Sequence, residues 1–218
     1  MAERKRCQGL NSKCFLLTYL VIVIFLLVLW FTGTDLNQQE SRVIPGALHA
    51  YITSPPRQIN DVQVALSKKR VLTNIYFGGK WTLVYFSHEQ CIPTCLSAFN
   101  KLAAFQSSYA SDDVGVVVID LDSDINARGK LADLLKQNNF NFPIINAEKA
   151  VIENLSKTFI ALYLTTNFTD GTHRIEQQHN LFLVDPKRRI YAVFDEKLSS
   201  TVVNDGFVSL RYFYAKSE

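Results

Sequence analysis

The stretch WTLVYFSHEQCIPTCLSAF, Trp81–Phe99, constrains this chain more than any other. Leu83–Phe86 is an apolar run rich in β-formers and reads as a buried strand. A short polar turn follows, then Cys91 and Cys95 at the opening of an amphipathic helix. Residues i and i+4 of a helix share a face, so the two sulfurs stand side by side where the chain leaves the strand. Two adjacent thiols can share a metal or close a disulfide, and the stretch by itself leaves both open.

The apolar pattern on either side of this stretch fits one α/β sheet. Leu96, Phe99, Leu102, Ala103 and Phe105 keep helical spacing. Val114–Leu121 is a continuous apolar run of strand length, the pattern of a central parallel strand covered on both faces. Asp122-Ser123-Asp124 caps a helix with apolar face Ile125, Leu131, Leu134 and Leu135, and Pro143-Ile144-Ile145 is a short strand. Glu148–Phe159 reads as a helix, Ala161–Thr165 as a further segment and Asn167–Gly171 as a turn. Leu181–Val184 is a strand that pairs antiparallel with Arg189–Phe194, and Asn204–Tyr214 is a terminal helix or strand. Upstream, the alternation over Ile59–Leu66 predicts a first strand, Lys68-Lys69-Arg70 a charged turn, and Val71–Phe77 a strand pairing back. Strand, helix, strand, helix, strand and hairpin give a sheet with helices on both faces, and a cysteine pair at the first strand-to-helix junction sits at its carboxyl edge.

The 218 residues suit one domain plus an extension, and the extension is apolar. Cys14–Phe31 carries no charge over eighteen residues, about enough to cross a bilayer as a helix. Arg4, Lys5, Arg6 and Lys13 precede it, and Asp35 and Glu40 follow. The positive-inside rule then puts 1–13 in the cytoplasm and the remainder outside. Phe31-Thr32-Gly33-Thr34 is a poor cleavage pattern, so a retained single-pass anchor in the inner membrane is expected rather than a removed signal peptide. Residues 32–54 form a tether and 55–218 the folded domain, in the periplasm or, in a eukaryote, the mitochondrial intermembrane space. Cys7 and Cys14 fall on the inner side or at the membrane edge, whereas Cys91 and Cys95 face an oxidising compartment. A net charge of +3, partly placed at the N-terminus, gives no case for nucleic acid.

The domain resembles the Sco/SenC (PrrC-like) family of membrane-anchored, thioredoxin-like copper chaperones for cytochrome c oxidase assembly. The likeness runs from Pro55 to the C-terminus. Lys80–Phe86, four residues, then Cys91-x-x-x-Cys95 match the family's strand and metal-binding turn without a gap. Val118-Ile119-Asp120 with Asp124 matches the next strand end, and His179 precedes Phe182-Leu183-Val184-Asp185-Pro186, where the family keeps a ligand histidine close upstream. The chain departs from the pattern in four ways. Ile92 and Leu96 follow the cysteines in place of proline. Gln90 precedes the first cysteine, with His88 two earlier. His179 lies two residues nearer the strand than the family's histidine. It also occupies the position, three before the strand, where thioredoxin-like oxidoreductases keep a cis-proline.

The resemblance implies a copper site of Cys91, Cys95 and His179. Two thiolates and one imidazole suit three-coordinate Cu(I), whereas zinc wants a fourth ligand, for which His88, Glu89 or Asp120 is the nearest supplier. A helix N-terminus favours a thiolate, Cys91 being the expected one. The implied function is delivery of copper to, or reduction of the cysteines of, a cytochrome c oxidase copper-site subunit or another redox protein. The alternative is a membrane-tethered thiol–disulfide oxidoreductase with Cys91 and Cys95 as its catalytic pair and His179 tuning them. A third is an interaction module with a structural disulfide. His88 reads as a turn residue, His49 and His173 as solvated, and Asp120 and Asp124 as strand-end and cap residues. Asn154-Leu155-Ser156 and Asn167-Phe168-Thr169 fit the glycosylation pattern, meaningful only in a eukaryotic secretory pathway.

Overall fold

A computed structural model describes residues 16–28, 44–60, 72–109, 113–122 and 129–217. The chain divides into two units, Met1–Ile44 and Pro45–Glu218. In the first, 16–28 is helical, with apolar side chains such as Leu17 and Phe25 exposed. Among the described residues no helix is long and apolar enough to cross a membrane. The anchor expected over 14–31 runs past the described helix at both ends, and 1–13 and most of the tether also lie outside the described residues.

The second unit is built on a six-stranded sheet in the order β1-β8-β7-β2-β3-β4. Its strands are β1 (Ile52–Gln58), β2 (Trp81–Ser87), β3 (Val114–Asp120), β4 (Ile144–Ile145), β7 (Leu181–Val184) and β8 (Arg189–Phe194). β2 is buried along its whole length because it is central: β3 pairs with it in parallel, from Trp81 opposite Val114 to Ser87 opposite Asp120, and β7 pairs antiparallel on the other side. The helices are α1 (Leu72–Phe77), α2 (Leu96–Ser108), α3 (Lys130–Gln137), α4 (Lys149–Phe159) and α5 (Ser200–Ser217).

Side chains alternate across β2, and each face has its own core. Val84 and Phe86 join Val117, Ile119 and Phe182 against Phe77 of α1 and Ile152, Leu155 and Phe159 of α4. There the rings of Phe86, Phe159 and Phe182 meet pairwise at 5.4–5.8 Å, nearly edge to face. On the opposite face Tyr85 packs on Phe99 of α2, and Trp81 and Phe105 pack on Phe207 of α5. Truncating one such buried phenylalanine typically costs about 3–5 kcal/mol.

Several elements differ from the sequence reading. Val71–Phe77 does not pair back as a strand; 72–77 is the short helix α1, both flanks of β2 being taken by β3 and β7. The first strand is Ile52–Gln58, ahead of the alternation at Ile59–Leu66, of which only Ile59 and Asn60 are described, outside any strand. β1 thereby takes in residues assigned to the tether, along with Pro55 and Pro56. An edge strand accommodates them, because one side of it has no ladder to feed, and its register to β8 breaks between Ile52 and Arg57. The charged turn 68–70, Ser123 and Asp124 lie outside the described residues. The terminal element is a helix, and a strand unseen in the sequence, β6 (His173–Gln177), pairs with β5 (Tyr163–Asn167) as a separate hairpin.

Candidate redox and metal site

β2 ends at Ser87, and the chain turns through extended His88 into a 3-10 turn, Glu89–Cys91, before α2 begins. Cys91 closes that turn. Cys95 is the N-cap residue of α2: its carbonyl accepts from Phe99 N–H at 3.0 Å, while its own N–H reaches the Cys91 carbonyl at 3.1 Å. The sulfurs are joined, with an S–S distance of 2.05 Å and Cα atoms 5.5 Å apart. Both cysteines are buried, 2% and 0% exposed, so any exchange partner needs this turn to open. Cys95 thus stands at the helix N-terminus, and the disulfide holds the Cys91 sulfur beside it, so the N-terminal dipole acts on both. Cys91 has a further neighbour, the Ser87 hydroxyl, 3.1 Å from its sulfur.

His179 follows β6 and reaches the same face of β2. Its Nδ1 lies 2.6 Å from the Tyr85 hydroxyl, and its ring stacks on Tyr85 with centroids 6.2 Å apart. Gln177 completes the group: its Nε2 donates to the Phe86 carbonyl at 2.7 Å and lies 3.2 Å from the Tyr85 oxygen and 3.3 Å from His179 Nδ1. Burial pushes the His179 imidazole below its ordinary value, with Glu196 pulling it up and Lys101 pushing it down. Lys101, from α2, donates to the Glu196 main-chain oxygen. Among the described residues no three of His, Cys, Asp and Glu are grouped to hold a metal. With the sulfurs bonded to each other, thiolate ligation first requires reduction.

Two acidic and two histidine side chains surround this edge. Asp120, opposite Ser87, is buried; its Oδ1 accepts from Asp122 N–H at 3.0 Å and its Oδ2 from Asn146 Nδ2 at 3.1 Å. Burial still raises its pKa to about 7, helped by the Asp122 and Glu89 carboxylates. His88 is the turn residue the sequence suggested, and it is buried. It is 4% exposed, its Nδ1 is buried with no hydrogen-bond partner among the described residues, and burial lowers its pKa to about 4. His173, expected in solvent, is bound instead to Asp122, Nε2 to Oδ2 3.1 Å, at the wall of a cavity of about 480 Å³ between α4 and the β5–β6 hairpin. His49 is exposed and remote in sequence from all of these.

The SCO1/SenC family profile matches residues 58–208, most of the chain. The chain belongs to the SCO1/SenC family. Among curated proteins it is similar to "Protein SCO1 homolog 1, mitochondrial" of Arabidopsis thaliana, 21% identical over 179 residues, covering 80% of this chain and 52% of that protein. The chain thus spans about half the length of the curated relative it matches. Among solved structures, apo Sco1 of Thermus thermophilus superposes with a TM-score of 0.57 at 15% identity, over 74% of this chain and 94% of the other. Yeast Sco1 with copper bound gives 0.51 at 19% identity, over 65% and 78%. These likenesses show the fold, the thioredoxin-like mixed α/β arrangement of Sco proteins.

Within that fold the sequence located the cysteine pair and the histidine upstream of β7, and it missed Ser87, Tyr85 and Gln177. Gln177 had a signal: it lies two residues before His179, the offset by which His179 departs from the family's histidine. Ser87 had none beyond standing four residues before Cys91.

Proposed function

We propose that this chain is a Sco-type copper-handling thiol protein, tethered by residues 14–31 with its folded unit outside the cytoplasm. The observation that carries the reading is the Cys91–Cys95 pair at the carboxyl edge of β2, within a SCO1/SenC domain. Copper is cargo. A reduced dithiol of a partner protein opens the disulfide, its two thiols becoming a disulfide as Cys91 and Cys95 become thiols. Cu(I) then displaces the two thiol protons and is held by both sulfurs, with His179 as the third donor. The recipient is a cytochrome c oxidase copper-site subunit or another redox protein, which takes the ion or exchanges thiols for disulfide.

A thiol–disulfide oxidoreductase is the second reading. It is favoured by the closed disulfide and by the hydrogen bond that occupies His179 Nδ1. Cu(I) titration of the reduced full chain separates the two, comparing wild type with Cys91→Ser and His179→Ala. The copper reading requires both variants to bind more weakly than wild type. Wild-type affinity in His179→Ala removes His179 from the ligand set. No copper binding, together with reduction of a test disulfide, moves the chain to the oxidoreductase class.

A further inference from the structure

The proposed third ligand has a lone pair to give only if its hydrogen bonds leave one free, and Gln177 fixes their sense. The atom of Gln177 that stands 2.7 Å from the Phe86 carbonyl must be the amide nitrogen, because an amide oxygen there would face a second acceptor. The other hydrogen of this nitrogen serves the Tyr85 oxygen at 3.2 Å. Tyr85 in turn sends its own hydrogen to His179 Nδ1, the short contact at 2.6 Å. A phenol is protonated at neutral pH and has that hydrogen to give. A neutral imidazole that accepts at Nδ1 carries its one proton at Nε2. One ring nitrogen then spends its lone pair on Tyr85 and the other bears hydrogen. A metal-bound histidine ligates through the ring nitrogen that has no hydrogen, the remote one being an N–H; here that lone pair, on Nδ1, is the one Tyr85 occupies.

We infer that Tyr85, aligned by Gln177, is a positioning residue that holds His179 in its Nε2–H tautomer and keeps the third copper position closed until that hydrogen bond is released. The consequence for copper rests on the proposed copper-handling function; the tautomer rests on the hydrogen bonds alone. Glu196, whose carboxylate accepts the His179 main-chain N–H at 3.3 Å, and Lys101 are the charged groups acting on the ring.

The test is ring-nitrogen NMR of the 15N-labelled, metal-free, oxidised full chain at neutral pH, in wild type and Tyr85→Phe, with His179→Ala for assignment. Wild type shows a bare Nδ1 and a protonated Nε2, and Tyr85→Phe shows a mixture of tautomers. A wild-type Nδ1–H, or identical spectra in the two proteins, overturns the inference; if Tyr85→Phe does not fold, the wild-type spectrum decides. Cu(I) titration of the reduced proteins is the second arm. Release of one neutral hydrogen bond makes Tyr85→Phe bind about tenfold more tightly. Unchanged or weaker binding overturns the gating. Failure of both proteins to bind Cu(I) sinks the copper reading, while the spectra still decide the tautomer.

Discussion

The Ser87 hydroxyl lies 3.1 Å from the sulfur of Cys91, and both groups are buried. The parallel register sets Asp120 opposite Ser87, so a buried carboxyl and a buried hydroxyl share the strand edge on which the cysteine turn sits. The two sulfurs share the start of α2, and Cys91 has in addition a hydroxyl donor.

In the reduced protein that hydroxyl stabilises the Cys91 thiolate by a charge-assisted hydrogen bond, worth about 1.5–3 kcal/mol. Ser87→Ala therefore slows alkylation of Cys91 in the reduced protein at neutral pH by about tenfold or more, measured as a rate across a pH series. Ser87→Thr keeps the hydroxyl and stays close to wild type. An unchanged alkylation rate in Ser87→Ala contradicts the assignment.

Two buried groups should give stability opposite slopes across the same window, roughly pH 4 to 7. His88 is held near 4, below the value of about 6.5 it recovers on unfolding. The unfolded chain therefore takes up the proton first, and stability declines as pH drops from about 6.5 toward 4. Asp120 is held near 7, above its unfolded value of about 3.9, so the folded chain keeps a proton the unfolded one has lost. Its contribution is present at low pH and is lost as pH rises through about 7. Denaturation across this window should show His88→Phe losing stability steadily as pH rises, the Asp120 slope alone, and Asp120→Asn gaining it, the His88 slope alone. If either variant keeps the wild-type pH profile, that group does not contribute.

Gly206, buried in α5, is a third test. Ala is the better helix former by about 1 kcal/mol, yet a Cβ at 206 would come within 3.0 Å of Phe194 Cε1. Phe194 is fully buried and packed on Tyr51 at 5.3 Å, so it cannot withdraw. Gly206→Ala should lower the unfolding midpoint in a thermal melt; a raised midpoint would show that Phe194 has room to move.

The sheet was legible because its central strands are buried on both faces. Leu83–Phe86, Val116–Ile119 and Leu181–Val184 are unbroken apolar runs of strand length. The periphery was not. β1 carries Pro55 and Pro56, which local rules assign to a linker and which only its edge position admits. β6 reads HRIEQ, with a single buried residue, Ile175, so no apolar period announces it. The cysteines were visible as a spacing, but the groups that govern them were not. Tyr85 and Gln177 stand far apart in the sequence, and only the fold brings both to His179.

If copper handling follows the redox state of the Cys91–Cys95 pair, as proposed, the oxidised and reduced chains must differ in copper affinity. Cu(I) is titrated into the full-length wild-type chain twice, once with Cys91–Cys95 closed and once after reduction, with competition against a Cu(I) chelator as the readout. The expected result is one copper per chain held tightly by the reduced protein and none by the oxidised one. Equal binding in the two states, or none in the reduced one, would contradict it.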